Sequence, residues 1–117
     1  MASHNEIGKK GEAIAKDYLA GNKYAILYQN YRIAPYEFDF VCRNQKKQLI
    51  FVEVKTLQGN GYPEEMVTKS KERFLTEGAI QFKEKFHLNE EHFFEIIAIN
   101  IFKDQTHKIH HIYDAFF

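Results

Sequence analysis

Apolar and polar residues recur along this chain with two periods, and each change of period marks the edge of an element. From Ser3 onward, Ile7, Gly11, Ile14, Ala15, Tyr18 and Leu19 return at helical spacing and form one apolar stripe. Ser3 and Glu6 stand in the S-x-x-E relation of a capping box, so the helix is expected to begin near Ser3. Gly21 is the expected stop, a residue free to turn left-handed after the last turn. Three extended segments follow. Residues 24–33 are rich in aromatic and β-branched side chains and close at Ala34-Pro35, and residues 36–43 alternate. Residues 48–55 contain Leu49-Ile50-Phe51-Val52, apolar on both faces as in a strand buried in mid-sheet. Polar residues 44–47 read as the hairpin turn between the last two.

Gly59 and Gly61 mark a loop, after which Pro63, followed by Glu64 and Glu65, is the expected start of a second helix. Its stripe is Val67, Phe74, Leu75, Ala79, Phe82 and Phe86. Residues 93–102 and 108–113 read as late strands. The order is αβββαββ, an α/β domain with a central mixed sheet flanked by helices, and residues 1–117 are expected to form one domain.

Composition narrows the picture. Hydrophobic residues make up 44% of the 117, with 11 Phe and 7 Tyr, enough for a real core and too many for a disordered chain. Sixteen basic and sixteen acidic residues leave no formal net charge, so any polyanion site must come from local clustering of charge. Cys42, the single cysteine, has no disulfide partner within the chain and reads as a small core residue. No apolar run of about 18 residues and no signal-peptide pattern occurs, so a cytoplasmic, non-membrane protein is expected.

Chemistry gathers in Glu37-Phe38-Asp39 and Glu53-Val54-Lys55. Strand alternation is expected to point Phe38 and Phe40 one way and Glu37, Asp39 and Val41 the other. Leu49, Phe51, Glu53 and Lys55 share a face of the next strand. The hairpin sets Asp39 beside Glu53 if the register matches those faces, with Lys55 about 7 Å further along. Glu53 is the anomaly: a carboxylate in a run otherwise apolar on both faces needs a cation to compensate it. A hard divalent ion meets that need and accounts for the second acid, and Lys55 then suits a phosphate or an attacking water. The plainer alternative is a solvated ion pair at the rim of the sheet. Glu12 falls about 20° from Leu19 around the first helix, either a solvated residue or one that reaches the acids as a ligand or water-holding base. Lys71 interrupts the second helix's stripe, where it either snorkels to water, meets a phosphate or pairs with a site carboxylate. His107, His110 and His111 lack the companion ligands of a zinc site and read as mixed surface and aromatic neighbours. Gly59-Asn60-Gly61 lacks the Gly-Lys-Ser/Thr of a phosphate loop.

Nearly the whole chain resembles the small bacterial YraN-like family, uncharacterised proteins assigned to the PD-(D/E)xK nuclease superfamily. The likeness rests on Gly8, Gly11-Glu12, Ala15, Tyr18-Leu19, Asn30, Arg32, Glu37-Phe38-Asp39, Phe51-Val52-Glu53-Val54-Lys55-Thr56, Pro63, Val67 and Lys71. The resemblance implies a restriction-endonuclease-like fold, similar to archaeal Holliday-junction resolvases. It implies Asp39 and Glu53 as ligands of Mg²⁺, with Mn²⁺ as a substitute, Lys55 as the water-orienting group and Glu12 as the helix contributor. Lys71, Glu37 and Thr56 are then candidates to support the site or to meet a substrate phosphate. The implied function is a metal-dependent endonuclease hydrolysing phosphodiester bonds in DNA, branched or processed DNA included. A basic protein partner would supply the positive surface that the neutral chain lacks, and a resolvase-like role would require a symmetric homodimer to cut two strands. The alternative is a non-catalytic nucleic-acid-binding or scaffold module that keeps the fold. Three departures from the family pattern stand out: Tyr36 replaces a glycine before Glu37, Leu57 replaces an arginine, and Phe93-Phe94-Glu95 replaces Arg-Phe-Asp.

Overall fold

Ser3 caps the first helix as its spacing requires: its Oγ accepts the Glu6 amide at 3.2 Å in the computed structural model, which describes residues 3–116. The elements run α1 (His4–Gly21), β1 (Ala25–Ile33), β2 (Tyr36–Arg43), β3 (Leu49–Gln58), a 3-10 turn (Pro63–Met66), α2 (Lys69–Lys85), β4 (His92–Ile101) and β5 (His107–Ile112). This is the expected αβββαββ order with one extra turn.

The strands lie in sequence order in one five-stranded sheet, and only the β3–β4 pair is parallel. A parallel pair needs a crossover, and α2 supplies it. The crossover covers one face of the sheet while α1 covers the other, so β3 and β4 are buried on both sides. That is why Leu49–Val54 and Ile96–Ile101 are apolar almost throughout. Under α1 lie Phe40, Cys42, Ile50, Val52, Ile97 and Ile99, and under α2 lie Phe38, Val41, Leu49 and Phe51. Cys42 is fully buried, as expected. The helix seat on β3 depends on Gly11, where an added Cβ would stand 1.8 Å from Thr56 Oγ1. No helix among the described residues is long and apolar enough to cross a membrane.

Three local expectations are corrected. Gly21 is the last helical residue and not the left-handed stop. That place falls to Lys23, at φ 64°, and the end is closed by Lys23 N to Ala20 O at 3.1 Å and Tyr24 N to Leu19 O at 2.9 Å. Pro63 starts only the short 3-10 turn. α2 begins at Lys69, because Thr68 is the residue whose hydroxyl caps it, accepting the Lys71 amide at 3.1 Å. Finally, Phe38 and Phe40 do not share a face: Phe38 packs under α2 and Phe40 under α1. The alternation slips by one residue between them. Opposite the slip, Asn30 of β1 adopts φ 50°, and the step that would pair Asn30 with Asp39 is missing from the ladder. Both strands kink together, and the residue at the kink of β2 is Asp39.

Candidate functional site

Beyond that kink β2 and β3 part. Their ladder runs from Arg43–Leu49 to Phe40–Val52 and stops one step short of Asp39–Glu53. Asp39 Oδ2 takes over the lost strand contact, accepting the Val54 amide at 2.7 Å. The carboxylate is thus fixed at the fork by a backbone donor rather than a flexible side chain.

Glu53 follows Phe51 on the α2 face of β3 and is only 6% exposed. Its Oε2 is the one buried side-chain N or O atom among the described residues without a hydrogen-bond partner. Lys71, in the first turn of α2, brings Nζ to 3.5 Å from that oxygen. Burial pushes the Glu53 carboxyl up to about 9; the adjoining Asp39 carboxyl adds to the rise, and the Lys71 and Lys55 ammonium groups oppose it. Burial and the Asp39 carboxyl together therefore outweigh what the two lysines offset.

Glu12 approaches from the α1 side. With Asp39, Thr56, Lys9 and Met66 it lines an open cleft of about 340 Å³. Asn30 Nδ2, at the kink, donates to Glu12 Oε2 over a long 3.4 Å. Burial raises the Glu12 carboxyl, Asn30 counteracts it, and Asp39 and Glu37 raise it further. The fold thus gathers Glu12, Glu37, Asp39 and Glu53 around one fork with Lys55 and Lys71. Thr56 lies in the cleft wall pressed against Gly11, and Glu37 is exposed at its approach. Tyr36 leans toward α2 instead, with its ring 4.7 Å from Phe74 and its hydroxyl donating to Glu77 at 3.3 Å.

No group of three or more His, Cys, Asp or Glu side chains among the described residues converges tightly enough to enclose an ion. The donor set nevertheless suits Mg²⁺, which takes one or two carboxylates and fills its other positions with water or substrate oxygens. Glu53 Oε2, buried and unsatisfied, is the atom that such an ion would satisfy.

Residues 11–99 match a family described as Uncharacterised protein family UPF0102. The chain belongs to it. A UPF0102 protein of Christiangramia forsetii is 41% identical over 119 residues, covering 100% of this chain and 98% of that relative. Relatives from Geotalea uraniireducens and Bacteroides fragilis are each 37% identical, over 98% and 100% of this chain and 92% and 97% of theirs. The family is the YraN-like one that the sequence resembles.

This UPF0102 chain also carries a second buried acid that the sequence reading passed over. Glu95, 5% exposed on the α1 face of β4, has its Oε1 bonded by Tyr24 Oη and by His111 Nε2, each at 2.7 Å. With Nε2 donating, His111 Nδ1 accepts from the Tyr18 hydroxyl at 2.9 Å, and Tyr113 stacks on the imidazole. The network ties α1, β4, β5 and the link that leads into β1. Burial and the Glu95 carboxylate push the Tyr24 phenol far above its ordinary value, so it stays a donor. His111 indeed has aromatic neighbours, but a carboxylate stands with them. The signal was available: Glu95, like Glu53, interrupts an apolar strand.

Proposed function

We propose that this UPF0102 protein is a metal-dependent endonuclease with a restriction-endonuclease-like fold, hydrolysing phosphodiester bonds in DNA, branched or processed DNA included. The observation that carries the reading is Glu53 Oε2, an acid oxygen sealed from water and unbonded at the point where β2 and β3 fork. Structural roles for a buried carboxylate satisfy it, as Glu95 is satisfied, whereas a ligand oxygen must stay free for its cation.

Asp39 and Glu53 would hold Mg²⁺ or Mn²⁺. The ion's contribution is that of a Lewis acid, spreading charge on the phosphoryl oxygens and making water a better nucleophile. Asp39 keeps its position through Val54 N, so one ligand is preorganised. Lys55 supplies an ammonium that orients the attacking water and offsets charge developing on the phosphate. Glu12, across the cleft and with its proton affinity raised, serves to hold or take a proton from that water. Lys9 on the cleft wall offers a further phosphate contact. With no net charge on the chain, these local ammonium groups carry DNA binding, which makes it weak and salt-sensitive.

Calorimetric titration of Mg²⁺ and Mn²⁺ tests the reading. Wild type should bind saturably, and an Asp39→Ala, Glu53→Ala double variant should not. No uptake by wild type at millimolar metal with DNA present would remove the mechanism and leave a scaffold that keeps the fold.

A further inference from the structure

The two buried acids are neutralised in different ways. Glu95 is closed by two direct bonds at 2.7 Å, from partners that are themselves packed in. The Glu53 Oε2 atom is met only by Lys71, at 3.5 Å. That is close enough to compensate charge, and well outside the roughly 2.7–2.9 Å of a charge-assisted hydrogen bond. The two sides of this pair also differ in freedom. The Glu53 side chain is 7% exposed and the Lys71 side chain 37%. Lys71 has its backbone pinned by Thr68 Oγ1, but its flexible stem leads to a head already partly in water. Glu53 cannot leave, and Lys71 can.

We infer that Lys71 is a provisional partner of the Glu53 carboxyl in the metal-free protein, giving up its place to a divalent cation when the site loads. The inference rests on the metal-dependent reading above. An ammonium and a divalent ion on the same oxygen repel each other strongly at such distances. The group that yields must be the one with a route to solvent. Asp39 does not give way, being tied to Val54 N. Lys71 swings to the rim of α2, where its charge then faces an incoming polyanion. Lys71 interrupts no stripe of α2, since Val67 lies before the helix; standing in the first turn ahead of Phe74, it can both reach Glu53 and retreat.

Amine acylation resolves the exchange without any activity measurement. Wild-type protein is pulsed with an acetylating reagent at a fixed pH of about 9, where the Glu53 carboxyl ionises, with and without saturating Mg²⁺ or Mn²⁺. Acetylation of Lys71 is then read by peptide mass spectrometry against Lys69, whose side chain is 85% exposed. Metal should raise the Lys71-to-Lys69 ratio roughly fivefold, the factor equivalent to about 1 kcal/mol of pairing. Glu53→Gln should show the raised ratio without metal and no further change with it. If calorimetry shows metal bound while the wild-type ratio stays constant, the exchange is wrong and the metal site stands. If calorimetry shows no uptake, both fall together. A ratio that rises with metal in Glu53→Gln as well also overturns the exchange, since the release would not then come from Glu53. The wild-type measurements decide the matter even if the variant folds poorly.

Discussion

Glu53→Gln replaces a buried carboxyl, whose Oε2 has no hydrogen bond, by an amide of the same shape, and it should stabilise the metal-free protein increasingly as pH rises. The folded carboxyl holds its proton up to about 9, against 4.5 for the ordinary group, mainly because it is buried. Between those values the native state binds a proton that the unfolded chain has released. The stability slope with pH is therefore negative for wild type: the full contribution is present below about 4.5 and is lost as pH climbs toward 9. Glutamine has no such slope. At pH 7.5 the ceiling is about 4 kcal/mol, three pH units at ~1.36 kcal/mol each. Buried charges relax by admitting water, so about 2 kcal/mol is the working expectation, or roughly 8 °C in Tm for a domain of this size. Urea and thermal denaturation of both proteins in chelator, from pH 5 to 9 at constant ionic strength, give the difference directly. Saturating Mg²⁺ should narrow or reverse it, because the ion binds the native wild type alone. A difference that is flat across the pH range, or that grows toward acid, refutes the assignment of Glu53 as a buried acid that its lysines compensate only in part.

Glu95→Ala strands the Tyr24 hydroxyl and His111 Nε2 in the interior and should cost about 3 kcal/mol in urea denaturation; a loss below ~1 kcal/mol would mean the network is not closed as described. Gly11→Ala drives a methyl group to within 1.8 Å of Thr56 Oγ1 and should cost roughly 3 kcal/mol as α1 lifts from β3. Thr56→Ala in the same chain should recover part of that loss, and a Gly11→Ala protein as stable as wild type would show that α1 is seated elsewhere.

The first-helix cap, the element order and both helix faces could be read from periodicity, because each depends on residues within one turn or one strand of each other. Glu53 stood out for the same reason, as an acid in an apolar run. The placement of Asp39 could not be read so. Strict alternation puts Phe38 and Phe40 on one face, and the kink shared with Asn30 puts them on opposite ones. That kink arises between two strands, and neither strand's own pattern contains it. The start of α2 was misplaced because Pro63 and Thr68 are both good openers, and tertiary packing chose the second.

The sequence by itself determined which segments become strand or helix and which acids are buried, since burial follows from the apolar residues on either side. Only the tertiary structure decided how those acids are treated. Glu53 and Glu95 read alike, each a carboxylate in an apolar strand. Yet Glu95 finds Tyr24, 71 residues away, and His111 across the β4–β5 pair, while Glu53 finds a lysine at 3.5 Å and an unfilled oxygen. Partners remote along the chain are set by strand register and by where a helix is seated, and those depend on the packing of the whole sheet.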